Sequence, residues 1–559
     1  MYIRRKKSPN SPRQSIQLVE GYRNEKGQVK QRIIRHLGVF HDEVEEAKLV
    51  ALAEELMVKI KAEREAQSAQ LSLLGTEQEA AIKRGRPFKK SLADILPVDQ
   101  VKLADLVEVA RVVEGVHEVG GAVYKQLGFD NIEIRKRDKD MLLDLVLSRM
   151  VKPTSKRGLH KVLSEQFNKE HDLDAIYRMM DKLHDKIPTI KELCFKGTLS
   201  LIPNKEVSLV FFDVTTLYFE SIEVDELRNF GYSKDHRFNT TQLVLALATN
   251  EDGLPLGYEL FSGNTAEVKT LLASITNWQS FMKIKDVCFV ADRAMFSKDN
   301  LQALDESGYR YIVAAKLKSL KKDIKQQILA EDNYRPTVLG DNFAWVAEFE
   351  HEGKRLITSY KSSRAKQDAK ERQVIIDKIK KVVDSKEGGK TAKLITNNGV
   401  KKYTSSQNSK TYLDESKIAN DALWDGLHGV ITNDKTMSPS EVIAKYARLW
   451  VIEAQFRINK HNLQMRPIFH WNKERIETHI AMCYMSFTIL KHIEYRAALT
   501  QKISVDNIIE RLLETQASIL RHTKTGDLYR LPGAMRNETR KIYKTFNLTR
   551  SINASIYLP

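Results

Sequence analysis

The chain has 559 residues, and at roughly 150 residues per domain that length predicts about three to four domains. Apolar residues make up 42% and charged residues 29%, which excludes a disordered tail or a fibrous protein and leaves ample chain for a core. Lys and Arg outnumber Asp and Glu by 90 to 73, a net charge of +17, so the expected partner is an anion and nucleic acid is the first candidate.

Cys194, Cys288 and Cys483 stand far apart and form no CxxC pair, which argues against structural zinc and a disulfide framework. The basic N-terminus has no apolar segment behind it. The longest strongly apolar stretch, residues 481–490, is far short of the ~20 residues a membrane span needs. A cytoplasmic protein with no membrane partner is expected.

Residues 1–40 carry ten Lys and Arg against Glu20 and Glu25, and they read as two strands around an Asn-Glu-Lys-Gly turn. Residues 41–69 read as a helix, with Leu49, Leu52, Leu56 and Ile60 at helical spacing. A polar linker then ends in Lys83–Lys90. Its Arg84-Gly85-Arg86-Pro87 core has the form of an AT-hook, whose arginines can lie in the narrow minor groove of A·T-rich DNA. Together these make a first region, 1–90.

Residues 91–204 read as mostly helical, including Leu103–Val116, and as a DNA-binding region. Basic residues such as Lys156 and Arg157 lie between its apolar stripes. Residues 205–317 change character to the order βββαβαβ, a mixed sheet with helices, hence an α/β or α+β core. Residues 318–437 interrupt the core with short strand-like pieces and a charged helix near 363–383, a mainly β insertion. Trp345, Trp424 and His428 are its stacking candidates, with burial in a small β domain the favoured reading. The core resumes over 438–499, with one long helix from Ser438 or Ser440 and a second at 475–498. Residues 500–559 form a basic C-terminal region, and its last 45 residues, with eight Lys and Arg against Asp527 and Glu538, read as a DNA-facing or flexible arm.

Three carboxylates stand out. Asp213 interrupts an apolar strand, Asp292 ends one, and Glu453 sits in the apolar helical stretch LWVIEAQF. A buried carboxylate is costly unless it is paired or binds a cation. Two strands and a following helix can gather three carboxylates at one end of a sheet, an oxygen-rich site suited to Mg²⁺ or Mn²⁺. No Walker P-loop and no GxGxxG turn is present, so no nucleotide cofactor is expected.

These residues resemble the DDE transposases of bacterial insertion sequences, and most closely the IS-four-like group. That resemblance implies an RNase H-like core interrupted by a β insertion. The strand-end Asp213, the ADRAMFS block around Asp292 and YARLWVIEAQFRINK around Glu453 carry it. The group's signature runs Tyr, two residues, Arg, three residues, Glu, six residues, Lys. Tyr446, Glu453 and Lys460 fit it; Leu449 occupies the Arg position and Arg448 precedes it. A one-residue shift turns a helical side chain by about 100°.

The resemblance implies that Asp213, Asp292 and Glu453 hold two Mg²⁺ ions (Mn²⁺ as an alternative). Water then opens a phosphodiester at the element end to free a 3′-OH, which attacks target DNA or first the opposite strand to give a hairpin. The implied partners are double-stranded DNA, both terminal repeats and target, and a second copy of the chain on that DNA. Tyr446, Arg448, Arg457 and Lys460 are the DNA-contact candidates beside the carboxylates. Lys234 and Arg237, with His236 and Asp235, are candidates in the Gly231–Leu247 segment. Two other functions stay open: an RNase H-like nuclease that cuts without joining, and a catalytically silent DNA-binding protein derived from a transposase.

Overall fold

The computed structural model describes residues 2–7, 14–23, 29–40, 46, 49–50, 53–54, 57, 101–231, 239–279, 281–282, 287–292, 298–339, 342–383, 402–407, 410–501 and 503–557. Contacts divide the chain into two compact units, Met1–Leu96 with Thr337–Phe343, and Pro97–Pro336 with Ala344–Pro559.

In the first unit, β1 (Tyr2–Lys7), β2 (Gln14–Arg23) and β3 (Val29–Phe40) form an antiparallel sheet in that order. β2 and β3 are the predicted pair. β1 was not foreseen, because YIRRKK has one apolar residue able to face a core. Arg4 instead reaches across the sheet to Gln17 at 2.7 Å and Gln31 at 3.2 Å. Residues 46, 49–50, 53–54 and 57 are helical, as the periodicity predicts. Ala53 packs on Ile16, flanked by Leu49, Val50, Ile3 and Leu37. Leu52, Leu56, Ile60, Arg84 and Arg86 lie outside the described residues.

The second unit opens with a departure from expectation. Leu106–Val113 is a strand, β4, not part of a helix. LVEVARVV satisfies helical spacing, but its four valines suit an extended chain better. Pairing with a C-terminal strand decides the matter, as given below. Five helices follow: α1 (Gly121–Gln126), α2 (Lys136–Val151), α3 (Lys156–Phe167), α4 (Leu173–Leu183) and α5 (Ile187–Leu201). Ser155 and Asp172 cap α3 and α4 through side-chain bonds to Gly158 N and Ala175 N.

The core then runs β5 (Leu209–Tyr218), β6 (Gln242–Thr249), β7 (Pro255–Ser262), α6 (Glu267–Trp278), β8 (Cys288–Ala291), α7 (Lys298–Glu306) and β9 (Arg310–Ala314), the predicted order βββαβαβ. Spatially these strands lie β7-β6-β5-β8-β9. β5, β6 and β7 pair antiparallel, while β5, β8 and β9 are parallel, which is the RNase H-like arrangement.

The insertion holds α8 (Lys322–Leu329), β10 (Arg335–Leu339), β11 (Asn342–His351), β12 (Lys354–Tyr360), α9 (Ser362–Val383), β13 (Thr404–Gln407), β14 (Lys410–Leu413), α10 (Glu415–Ala422) and β15 (Leu427–Thr432). α9 is the predicted charged helix. The strands do not make a separate small β domain. β15 pairs antiparallel with β9, Val430 opposite Ala314, and carries β12 and then β11 outward, so the core sheet continues into the insertion.

The predicted long helix is broken. α11 (Pro439–Ala447) starts at a capping box in which Ser438 Oγ accepts from Glu441 N and Glu441 accepts from Ser438 N. It ends at Arg448, and α12 (Trp450–Arg457) begins two residues later. Residues Ile458–Asn462 then widen into a π-helix. There the side chains of Gln455 and Asn459 donate to the carbonyls of Val451 and Gln455, four residues back, and compete with the ladder.

α13 (Lys473–Ala498) is buried nearly all round and packs on α2, α4, α5 and β7, so it is the central helix of the unit. The last residues are folded rather than an arm. α14 (Val505–Glu514), β16 (Gln516–His522), β17 (Leu528–Pro532), α15 (Asn537–Thr545) and β18 (Ser555–Ile556) follow, with sheet order β18-β17-β16-β4. Arg530 and Arg550 both pair with Glu114 at 2.5 Å, which ties this end to the chain after β4. No described helix is long and apolar enough to cross a membrane.

Candidate active site

The sheet register positions the first two carboxylates. Phe212 of β5 lies opposite Ala291 of the parallel β8, and Asp213 and Asp292 are the next residues on the two chains. Val210, Phe212 and Val214 belong to one core cluster, together with Phe289, Ala291 and residues of α6. Side chains alternate along a strand, so Asp213 and Asp292 turn to the opposite face. α12 packs on β5 and β6, and its buried Val451, Ile452 and Phe456 are absent from that cluster, which puts α12 on this opposite face. Asp213 is half-buried, and its Oδ1 accepts from Val214 N at 2.7 Å.

Glu453 corrects one expectation. It is exposed, as is Asp292, so the cost of desolvating a buried carboxylate applies in part to Asp213 alone. α12 buries Val451, Ile452, Gln455 and Phe456 and leaves Trp450, Glu453 and Arg457 outside, spaced three and four residues apart on one face. Trp450 is 62% exposed, although the apolar stretch around it suggests a buried residue. Its place on the same stripe as Glu453 was the available signal.

The other signature residues divide. Arg448 does not point along the Glu453 stripe. At the break between α11 and α12 its guanidinium turns to Glu251 in the β6–β7 turn, 2.7 Å from the carbonyl and 3.3 Å from the carboxylate. The Tyr446 ring is half-buried against His428, with centroids 5.1 Å apart. Lys460 lies in the π-helix and is half-buried, so two regular α-turns do not separate it from Glu453. Lys234, Asp235, His236 and Arg237 lie outside the described residues. Lys156 does not face outward: it is 4% exposed, with Nζ 3.2 Å from His479 Nδ1. Trp345, in β11, and Trp424, in the turn before β15, are both half-buried.

Asp213, Asp292 and Glu453 are hard oxygen donors, and their chemistry fits a divalent cation of the Mg²⁺ class. Among the described residues, no three His, Cys, Asp or Glu side chains are gathered closely enough to hold a metal ion. The fold therefore supplies the neighbouring strand positions and the helix above them, without closing the three carboxylates into one ligand cluster.

The strand order defines a core of the RNase H-like class. Residues 205–489, just over half of the chain, match the family described as Transposase DDE domain. The chain belongs to the DDE transposase family. It is a DNA-cleaving and strand-transferring enzyme of insertion-sequence transposition, in a family that uses divalent metal ions. Residues 3–69 match a second family, described as IS1634 family transposase, N-terminal domain. No curated protein sequence matches the chain. Solved structures of two transposases are among those weakly similar. A piggyBac transposase synaptic complex with hairpin DNA is 10% identical over 72% of this chain and 77% of that one, with a TM-score of 0.34. A Mos1 transposase paired-end complex with the left transposon end is 14% identical over 32% of this chain and 59% of that one, with a TM-score of 0.14. Likeness of that extent carries no argument about this chain.

Proposed function

We propose that Asp213, Asp292 and Glu453 are the catalytic carboxylates of this transposase, and that they hold Mg²⁺, with Mn²⁺ as a substitute. The observation that carries this is the register that sets Asp213 and Asp292 side by side, on the face covered by the helix of Glu453. When bound, a pair of such ions offsets the charge on the attacking and leaving oxygens of a phosphodiester. Asp213 and Asp292 come from paired neighbouring strands, and α12, which packs on β5 and β6, supplies Glu453.

The substrate is double-stranded DNA carrying the terminal repeats of the element. Water opens the phosphodiester at the element end and leaves a 3′-OH. That hydroxyl then attacks a target phosphodiester, so one P–O bond forms for each that breaks, and no nucleotide cofactor is needed. Arg457, on the Glu453 stripe, and Lys460 contact DNA phosphates near the cut. Arg84 and Arg86 engage the minor groove, and Lys234 and Arg237 lie along the DNA. Two copies hold two ends, in the cytoplasm where the DNA is.

The test uses purified protein and DNA bearing the ends of its own element, with and without Mg²⁺, beside Asp292→Ala. Metal-dependent cleavage and joining in the wild type, with both lost and DNA binding kept in the variant, is the expected result. Cleavage unaffected by Asp292→Ala would remove that residue from the site. Cleavage without joining would make the protein a nuclease.

A further inference from the structure

Arg149, in the last turn of α2, is a guanidinium in the interior, only 2% exposed. Its acceptors come from three separate segments, each at 2.9 Å. Nε donates to Cys483 Sγ in α13, one Nη to the carbonyl of Thr154 in the turn before α3, and the other to the carbonyl of Gln464. Among the described residues, none of its acceptors is a carboxylate. A buried cation without one costs stability, so charge pairing does not account for Arg149. What the side chain supplies is a planar fork that holds two main-chain carbonyls and a thiol at fixed spacing, which no apolar residue and no lysine reproduces.

Gln464 lies just past the π-helix Ile458–Asn462 that carries Lys460. Its φ is +41°, a left-handed conformation that a non-glycine residue keeps only where its surroundings hold it. On one side, Leu463 N donates to the Ile458 carbonyl at 2.9 Å and Met465 N to the Asn459 carbonyl at 3.0 Å, which closes the end of the π-helix. On the other side, Ile468 N donates at 3.3 Å to the carbonyl of Tyr218, the last residue of β5, and Phe219 and Ile468 form a bridge. The chain between Lys460 and β5, the strand of Asp213, is pinned at both ends, and Arg149 grips it between them from another helix. We propose, on the reading of Lys460 as a phosphate contact, that Arg149 is a positioning residue of strand cleavage: through the Gln464 carbonyl it fixes the end of the π-helix and so places Lys460 against a DNA phosphate. Arg149 is too deeply buried to reach DNA, so any effect it has on phosphate contact passes through another residue.

The test is a cycle of Arg149→Met, Lys460→Ala and the double variant, in the full chain with DNA bearing the end of its own element. Two quantities are read: the salt dependence of DNA-end affinity, and the single-turnover cleavage rate at saturating DNA with Mg²⁺. Lys460→Ala should lower the salt slope by about one and slow cleavage at least about tenfold. Arg149→Met should do the same although it cannot touch DNA. The double variant should be no worse than Lys460→Ala alone, because both substitutions remove one contact. A residue with only a structural part would leave the slope at the wild-type value, and its loss of rate would multiply that of Lys460→Ala; either result would overturn the proposal. Arg149→Lys guards against misfolding. It keeps the charge, reaches one acceptor instead of three, and should lose part of the slope and of the rate while melting close to the wild type. Wild-type slope and rate in Arg149→Lys would show that the fork is not needed and would overturn the proposal too. Failure of the Lys460 reading looks different: Lys460→Ala would bind and cleave as the wild type does, and both readings would fall together.

Discussion

Asp213 and Asp292 each stand one residue beyond the register pair Phe212–Ala291 on parallel neighbouring strands. The residues before them, Phe212 and Ala291, are buried in the same core cluster. The apolar face thereby fixes where the two carboxylates emerge. A one-residue slip of β8 would send Asp292 to the wrong face of the sheet.

Arg457 and Arg448 should behave differently. Arg457→Ala removes a cation from the exposed stripe of α12. It should weaken DNA binding on all sequences and reduce the salt slope by about one. Arg448→Ala breaks a half-exposed pair with Glu251, and should cost less than about 1 kcal/mol of stability and leave that slope unchanged. Binding titrations over a range of salt concentrations, with denaturant melts, separate the two. Equal slopes for both variants would contradict the assignment.

Lys460→Ala should lower strand cleavage while Mn²⁺ affinity stays at the wild-type value, because the proposed role of Lys460 is to contact phosphate and not the ion. Cleavage at the wild-type rate would remove Lys460 from the site. Lost Mn²⁺ binding would mean that the π-helix positions the carboxylates instead.

Asp144 offers a stability test away from the chemistry. Burial would raise its pKa, but hydrogen bonds from His117 at 3.0 Å and His171 at 2.8 Å outweigh burial and hold it at about 2. A folded pKa below the unfolded value gives stability that is present above about pH 4 and lost as pH falls toward 2. Asp144→Asn should therefore cost about 2 kcal/mol at pH 7 and almost nothing near pH 2. A pH-independent difference between the two proteins would contradict this.

Lys156 should act in the opposite range. Burial, and then the nearby Arg149 charge, bring its pKa down to about 7 from 10.5. Between those values the unfolded chain binds more protons, so stability rises with pH by up to about 1.4 kcal/mol per unit from this group. Lys156→Met should flatten that rise. An unchanged slope in urea melts from pH 7 to 10 would show that Lys156 is not buried in solution.

Much of this was legible in the sequence because the determinants are local. Apolar runs bounded by turns gave β5 to β9 in order, and Ser438 or Ser440 as a cap located the start of α11 to within two residues. The misses depend on partners distant in sequence. β4 is a strand because β16, some 400 residues later, pairs with it. Lys156 looks like a surface cation until α13 closes over it. At the break Arg448 meets Glu251, 197 residues earlier in the chain, a contact no local pattern announces. Glu453 was picked out for its apolar neighbours, yet those neighbours face the sheet while it faces out. The composition of the stretch singled out Glu453 for a burial that it does not have.

The central claim is that three carboxylates hold the cation. Calorimetric titration of Mn²⁺ into the full chain bound to its DNA end tests it most directly, comparing wild type with Asp213→Asn, Asp292→Asn and Glu453→Gln. The account predicts that each single substitution weakens Mn²⁺ binding at least about tenfold, roughly 1.4 kcal/mol, with DNA affinity retained. Wild-type Mn²⁺ affinity in all three variants would contradict it.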